Sequence, residues 1–143
     1  MNILDKRARY EIVEAIRHAE ASTRGEIRVH VQNRCGEDAM KEARKVFRRL
    51  GMHRTREHNA VLIFVAHQSR RFAIFGDKGM HGRVGDVFWN AARDKIQGHF
   101  LKNDIVGGIV AGVKSVGEKL KEHFSAGADD TDELPDRVSG GRA

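Results

Sequence analysis

Seven apolar residues in succession, Ala60-Val61-Leu62-Ile63-Phe64-Val65-Ala66, stand out in a chain whose apolar and polar positions are otherwise finely mixed. The run is too short for a membrane span and does not alternate, so it predicts a strand covered on both faces at the centre of a sheet. Leu4, Ala8, Ile12, Ile16 and Ala19 recur at helical spacing before it, predicting a surface helix over residues 4–21. Glu26-Ile27-Arg28-Val29-His30-Val31-Gln32 alternates, predicting a half-buried strand with Ile27, Val29 and Val31 inward and Glu26, Arg28 and His30 turned away. Ala39, Ala43, Val46 and Leu50, joined by Met40 and Phe47, predict a second helix over residues 37–50, with Glu37 and Asp38 in the first turn where the helix dipole favours them. Strand, helix and central strand form a βαβ unit, whose strands run parallel with a right-handed crossover.

His67-Gln68-Ser69 is a short polar break before Arg70 to Phe75 alternates again and stops at Gly76-Asp77-Lys78-Gly79. So short a connection makes a hairpin, so the third strand is antiparallel and the sheet is mixed. Val84, Val87, Phe88, Ala91, Ile96 and Phe100 predict about four helical turns, with a break at Gly98. Asp104 is a good N-cap for a last helix carrying Ile105, Ile109, Val113, Val116, Leu120 and Phe124. Gly107, Gly108, Gly112 and Gly117 lie inside that helix at roughly 1 kcal/mol each against Ala, a cost that implies close packing of the glycine face. Residues 125–143 are too polar to pack and read as a disordered acidic, Gly-rich tail. The expected fold is a three-layer α/β/α sandwich over residues 1–124.

Composition agrees with one domain: 143 residues, 40% hydrophobic, are enough for a core without disulfides or metals. Cys35 is the only cysteine, so no internal bridge is possible. The first twenty residues hold no apolar h-region, which points to a cytosolic chain. Net charge is +6; five acids (Asp129, Asp130, Asp132, Glu133, Asp136) against two bases give the tail −3 and leave +9 on the body. A basic body attracts phosphate-rich partners. With 6% aromatic residues there is little to stack on bases, so a solvated basic surface is favoured over non-specific nucleic-acid binding.

Three motifs are set aside. Cys35 follows a strand and precedes a helix, as a thiol phosphatase nucleophile does, but Lys41 stands where that chemistry needs arginine. Gly76-Asp77-Lys78-Gly79 lacks the glycine spacing and the Lys-Ser/Thr pair of a phosphate loop. The eight histidines have no paired zinc spacing.

Geometry leaves one constellation. Parallel strands start at one rim of a sheet and an antiparallel neighbour ends there, so Glu26, Asn59 and Asp77 converge, and Asp104 joins them if its helix starts at that rim. Carboxylates with an amide oxygen suit a hard cation, Ca²⁺ or Mg²⁺. The plainer alternative makes Asp104 a cap, Asp77 a turn residue and Glu26 a solvated strand end.

Thr23-Arg24-Gly25-Glu26-Ile27-Arg28-Val29, then Leu50-Gly51, then His58-Asn59 leading into the central strand, then Arg70 to Gly79, then Phe100 to Gly108, resemble the TPM domain family over roughly residues 5–122. That family includes thylakoid-lumen proteins of photosystem II repair. The resemblance implies an α/β/α sandwich, a divalent-cation site and, for some plant members, acid phosphatase activity, with Glu26, Asp77 and Asp104 as the acidic candidates. Many members read Asn-Gly where this chain has Asn59-Ala60, and an aromatic where it has Ile105. Most members also carry a secretion signal and a membrane anchor, neither of which is read in these residues.

Two functions are expected to compete. In one, the domain binds a divalent cation, Ca²⁺ before Mg²⁺, and a protein or phosphate-bearing partner, without catalysis. In the other it is a metal-assisted phosphomonoester hydrolase in which the cation polarises a phosphoryl oxygen and Arg56 neutralises phosphate charge. The first asks for less, because no positioned nucleophile or general base can be named.

Overall fold

A computed structural model describes residues 5–80, 86–125 and 138–141. Helix α1 spans Lys6–Glu20, its first turn closed by the Asp5 carboxylate, which accepts from the Ala8 amide at 2.8 Å. Strand β1 (Glu26–Gln32) leads to α2 (Ala39–Arg49), capped by Asp38. Strand β2 (Ala60–Ala66) turns into β3 (Arg71–Gly76). A 3-10 turn, Asp86–Trp89, runs into α3 (Asn90–Leu101), and α4 (Ile105–His123) follows, capped by Asp104. Strand β4 is Val138–Gly141.

The sheet order is β3-β2-β1-β4, with β1 parallel to β2 and β4, and β3 antiparallel to β2. Helix α2 covers one face through Ala43, Val46 and Phe47, packed on Leu62, Phe64 and Ala73. Helices α1, α3 and α4 cover the other, where Ile12, Ile16, Ile96, Ile109 and Val113 meet Val29, Val61, Ile63 and Ile74. This is the expected α/β/α sandwich with a mixed sheet. All seven residues of β2 are buried, as an unbroken apolar run requires. Among the described residues no helix is long and apolar enough to cross a membrane.

Four expectations change. Strand β1 is buried along its whole length rather than on one face. The polar side of the strand faces the α2 layer, where His30 Nε2 lies 2.9 Å from Gln32 Oε1 and Gln32 Nε2 donates to the Arg34 carbonyl at 2.7 Å, while His30 Nδ1 has no hydrogen-bond partner among the described residues. The helical region expected over 84–100 begins as a 3-10 turn, Val84 lies outside the described residues, and α3 continues to Leu101. Gly98 does not break it, because its position is open and nothing there forces the backbone out of a helix. Of the stretch read as a tail, residues 138–141 pair with the outer edge of β1, while 126–137 and 142–143 lie outside the described residues. An edge strand needs only main-chain hydrogen bonds, which Gly140 and Gly141 supply as well as any residue.

The glycines of α4 do mark close approach. A Cβ on Gly117 would lie 2.6 Å from Ala19 Cβ, and one on Gly112 would lie 2.6 Å from Ile96 Cδ1. Helix α4 is thus pressed between α1 and α3 along its length.

Candidate functional site

Register places the predicted residues. Glu26 pairs with Ala60, and the Asp77 amide donates to the Ala60 carbonyl at 3.0 Å, so Ala60 stands between Glu26 and Asp77 at the start of the central strand. Alternation puts Glu26 and Ala60 on the α2 face, since Ala60, Leu62, Phe64 and Ala66 pack there. Asn59 precedes Ala60 directly. All three are buried, with Glu26 4%, Asn59 2% and Asp77 7% exposed, so Glu26 is not a solvated strand end. Asp77 is a turn residue as well as a rim residue: its Oδ1 accepts from the Lys78 amide at 2.8 Å, and its Oδ2 lies 3.3 Å from His58 Nδ1. Asn59 Nδ2 donates to the Arg24 carbonyl at 3.3 Å, which aims the amide oxygen elsewhere.

This rim is tied down by its neighbours. Arg24 grips Glu57 through two bonds of 2.8 and 3.0 Å and donates to the Ser125 carbonyl at 2.6 Å, joining the loop before β1, the loop before β2 and the end of α4. Thr23 Oγ1 donates to the Phe124 carbonyl at 2.5 Å. The Gly79 amide donates to the His58 carbonyl at 2.8 Å, where a Cβ would sit 2.5 Å from that same oxygen and still closer to the Glu57 carbonyl. Only glycine lets the turn after β3 touch the loop before β2 so closely. Arg56 is exposed on that loop, three positions ahead of Asn59.

Asp104 does not join the group. It lines a cavity with Ala66 and His67, at the far end of β2. The reason is length: a 19-residue helix is about 28 Å long, enough to run the full depth of a sheet of seven-residue strands, and the end of α4 is bonded to Thr23 and Arg24 at the first rim, so its start lies at the other. There Asp104 caps α4 through the Gly107 amide at 3.1 Å and pairs with His99 Nδ1 at 3.0 Å, and these two bonds hold its carboxyl below its ordinary pKa. The cap alternative therefore describes Asp104. Among the described residues no three His, Cys, Asp or Glu side chains gather as a metal-holding group.

Sequence reasoning passed over His58 and the buried row Arg28, His30 and Gln32. His58 has φ 50°, a turn conformation that no periodicity signals. The row reads as solvent-facing because its residue types are polar. His30, 2% exposed, stacks on Phe64 with ring centroids 5.9 Å apart. Burial lowers its pKa below 6.5, opposed by the Gln32 hydrogen bond and aided by the charges of Arg49 and Arg28. A histidine held neutral in the folded state stabilises the fold above its unfolded pKa and loses that contribution as pH falls. The melting temperature is therefore expected to drop as pH is lowered from about 6.5 toward 5. His30→Phe keeps the ring and should flatten that slope, leaving the part due to His67, whose pKa burial also lowers. An unchanged slope in the variant would remove His30 from the explanation.

Cys35 carries no nucleophile's signature. Burial raises its thiol pKa more than the Arg71 charge lowers it, and its backbone is held by Ser69 Oγ at 3.0 Å, at the end of the sheet away from Glu26 and Asp77.

A mixed sheet between one helix and three, with acidic and amide groups brought to the shared start of its parallel strands, defines a small α/β/α sandwich domain. The chain belongs to the TPM domain family, whose model matches residues 1–119. It is similar over nearly its whole length to the BA42 protein of the psychrophilic bacterium Bizionia argentinensis, with 40% identity, 98% of this chain and 97% of that chain covered, and a TM-score of 0.91. The N-terminal domain of the cg2496 protein of Corynebacterium glutamicum shares the fold at 19% identity, covering 91% of this chain and 81% of that chain with a TM-score of 0.67. Among curated proteins none matches the chain.

Proposed function

We propose that this domain binds a hard divalent cation, Ca²⁺ in preference to Mg²⁺, at the rim formed by Glu26, Asn59 and Asp77, and offers the charged rim to a protein or phosphate-bearing partner without catalysing a reaction. The observation that supports this reading is the register: two carboxylates flank Ala60 on adjacent strands, with a buried amide beside them. Ca²⁺ accepts six to eight oxygens in a flexible shell, and two carboxylates, one amide oxygen and water meet that need more easily than the strict octahedron of Mg²⁺. Arg56, exposed on the adjoining loop, supplies a positive contact for a phosphate-bearing partner.

Asp77→Asn tests the site while keeping an oxygen for the Lys78 amide. Wild-type protein is expected to gain about 2.7 kcal/mol of stability at a Ca²⁺ concentration 100 times the dissociation constant, read as a rise in melting temperature. The variant should melt near the wild-type value without metal and lose most of that rise. A flat wild-type response, or an equal rise in the variant, would remove the site.

One observation favours the hydrolase as a second reading: His58 beside Asp77 puts an imidazole nitrogen at the rim, where a general base for a cation-bound water would stand. Hydrolysis of a generic phosphomonoester with and without Ca²⁺ or Mg²⁺ separates the two. Turnover that needs metal and falls in both Asp77→Asn and His58→Gln would replace binding by catalysis.

A further inference from the structure

At the opposite rim, the β2–β3 turn, the start of α1 and the α3–α4 turn enclose an open cavity of about 620 Å³, within the range of small-molecule sites. Part of its wall is apolar: Phe100, Ile105 and Val106 line it, and the Phe100 ring is held edge-on against Phe72 with centroids 5.4 Å apart. Two carboxylates also line it, and each already accepts a hydrogen bond that caps a helix. Asp5 accepts from the Ala8 amide to cap α1, and Asp104 accepts from the Gly107 amide and from His99.

What the cavity offers a ligand is therefore mainly donors. Arg70 lines it from the β2–β3 turn with φ 55°, and its guanidinium has no hydrogen bond or ion pair with a described residue. Gln68 and Gln97 add neutral N–H groups. Arg71 is a poorer candidate, because it pairs with Ala66 on the α2 side of the sheet, where its charge acts on the Cys35 thiol. The Arg70 cation, neighbouring amides and a fixed apolar wall match a molecule with a charged oxygen end and an apolar body.

We infer that this cavity binds a small organic oxyanion with an apolar body, such as an aryl carboxylate, with Arg70 holding the oxyanion and Phe100, Ile105 and Val106 holding the body. The site is independent of the cation rim, which lies at the other end of the strands.

Amide shifts of the ¹⁵N-labelled protein, followed during titration with benzoate, phenyl phosphate, acetate and benzyl alcohol, test it. Benzoate should move the amides of Gln68, Arg70, Phe100 and Ile105 saturably. Acetate lacks the body and benzyl alcohol the charge, so each should bind at least about tenfold more weakly. Arg70→Gln should weaken benzoate by about tenfold and leave benzyl alcohol unchanged. Phenyl phosphate carries the same body, so its rank against benzoate assigns the oxyanion as phosphate or carboxylate. Should Arg70→Gln fail to fold, intermolecular Overhauser contacts between benzoate and Phe100 or Val106 in the wild-type protein decide the matter. The inference is overturned if benzoate moves nothing at the cavity. It is equally overturned if benzoate and acetate produce the same weak, salt-suppressed shifts across the basic surface.

Discussion

Phe64→Ala is expected to cost about 3–5 kcal/mol, the largest effect of any substitution considered for this domain. Phe64 has no exposed surface and sits in the α2-side core among Phe47, Met52, Leu62 and Ala73, with His30 stacked against its ring. Removing the ring opens a cavity beneath α2 and leaves His30 without its apolar lid, so water and protons reach a buried imidazole. Urea unfolding measures the loss. Phe64→Leu refills most of the volume and should cost less than about 1.5 kcal/mol. Leu101→Ala, at a side chain 77% exposed, should stay within about 0.5 kcal/mol. A cost for Phe64→Ala no larger than that of Leu101→Ala would mean that α2 does not pack on the central strand.

Gly79→Ala is the second large effect, and it falls on the rim proposed to hold a cation. The added carbon would meet the Glu57 and His58 carbonyl oxygens, which are backbone atoms and cannot rotate aside as a side-chain tip can. Relief requires the turn after β3 to move from the loop before β2, which breaks the Gly79 amide bond to His58 and shifts Asp77 relative to Asn59. Overpacking of this kind costs about 1–3 kcal/mol, here toward the upper end. In a chain of this size that corresponds to a melting temperature lower by roughly 10 °C. The variant should also lose its response to Ca²⁺, because the rim residues no longer hold their spacing. Gly98→Ala, at a helical position with nothing within 4 Å, should be neutral or slightly stabilising. Equal melting temperatures for Gly79→Ala and Gly98→Ala would contradict the close approach.

The elements readable from sequence are those in which one physical signal dominates. Strand β2 is announced by seven consecutive apolar residues, and the antiparallel sense of β3 by the brevity of the turn between them. The glycines of α4 announce its tight packing, which Ala19, Ile96 and Phe100 supply. Strand β1 is buried on both faces where half-burial is expected, because alternation reports residue type and not burial. Glu26, Arg28, His30 and Gln32 are polar yet buried on the face of the sheet that carries α2, and burial there is decided by tertiary packing. Asp104 does not meet the condition set for it, because an N-cap says where a helix begins along the chain, while its place in space follows from helix length and from the bonds at its far end. Strand β4 gives no side-chain signal, since parallel edge pairing uses the main chain alone. His58, Arg70 and Asn103 adopt positive φ in turns, where periodicity is silent. Three of the four residues expected to share a site do share a rim, and the fourth instead borders the cavity at the opposite end.

Whether the shared rim holds a cation is tested most directly by titrating ¹⁵N-labelled protein with Ca²⁺ and following every backbone amide. The expected result is saturable movement confined to the amides around Gly25 to Ile27, His58 to Ala60 and Gly76 to Lys78, with the rest of the spectrum still. Movement centred on Asp104 or on the acids between Asp129 and Asp136, or no saturable movement anywhere, would contradict a cation site at Glu26, Asn59 and Asp77.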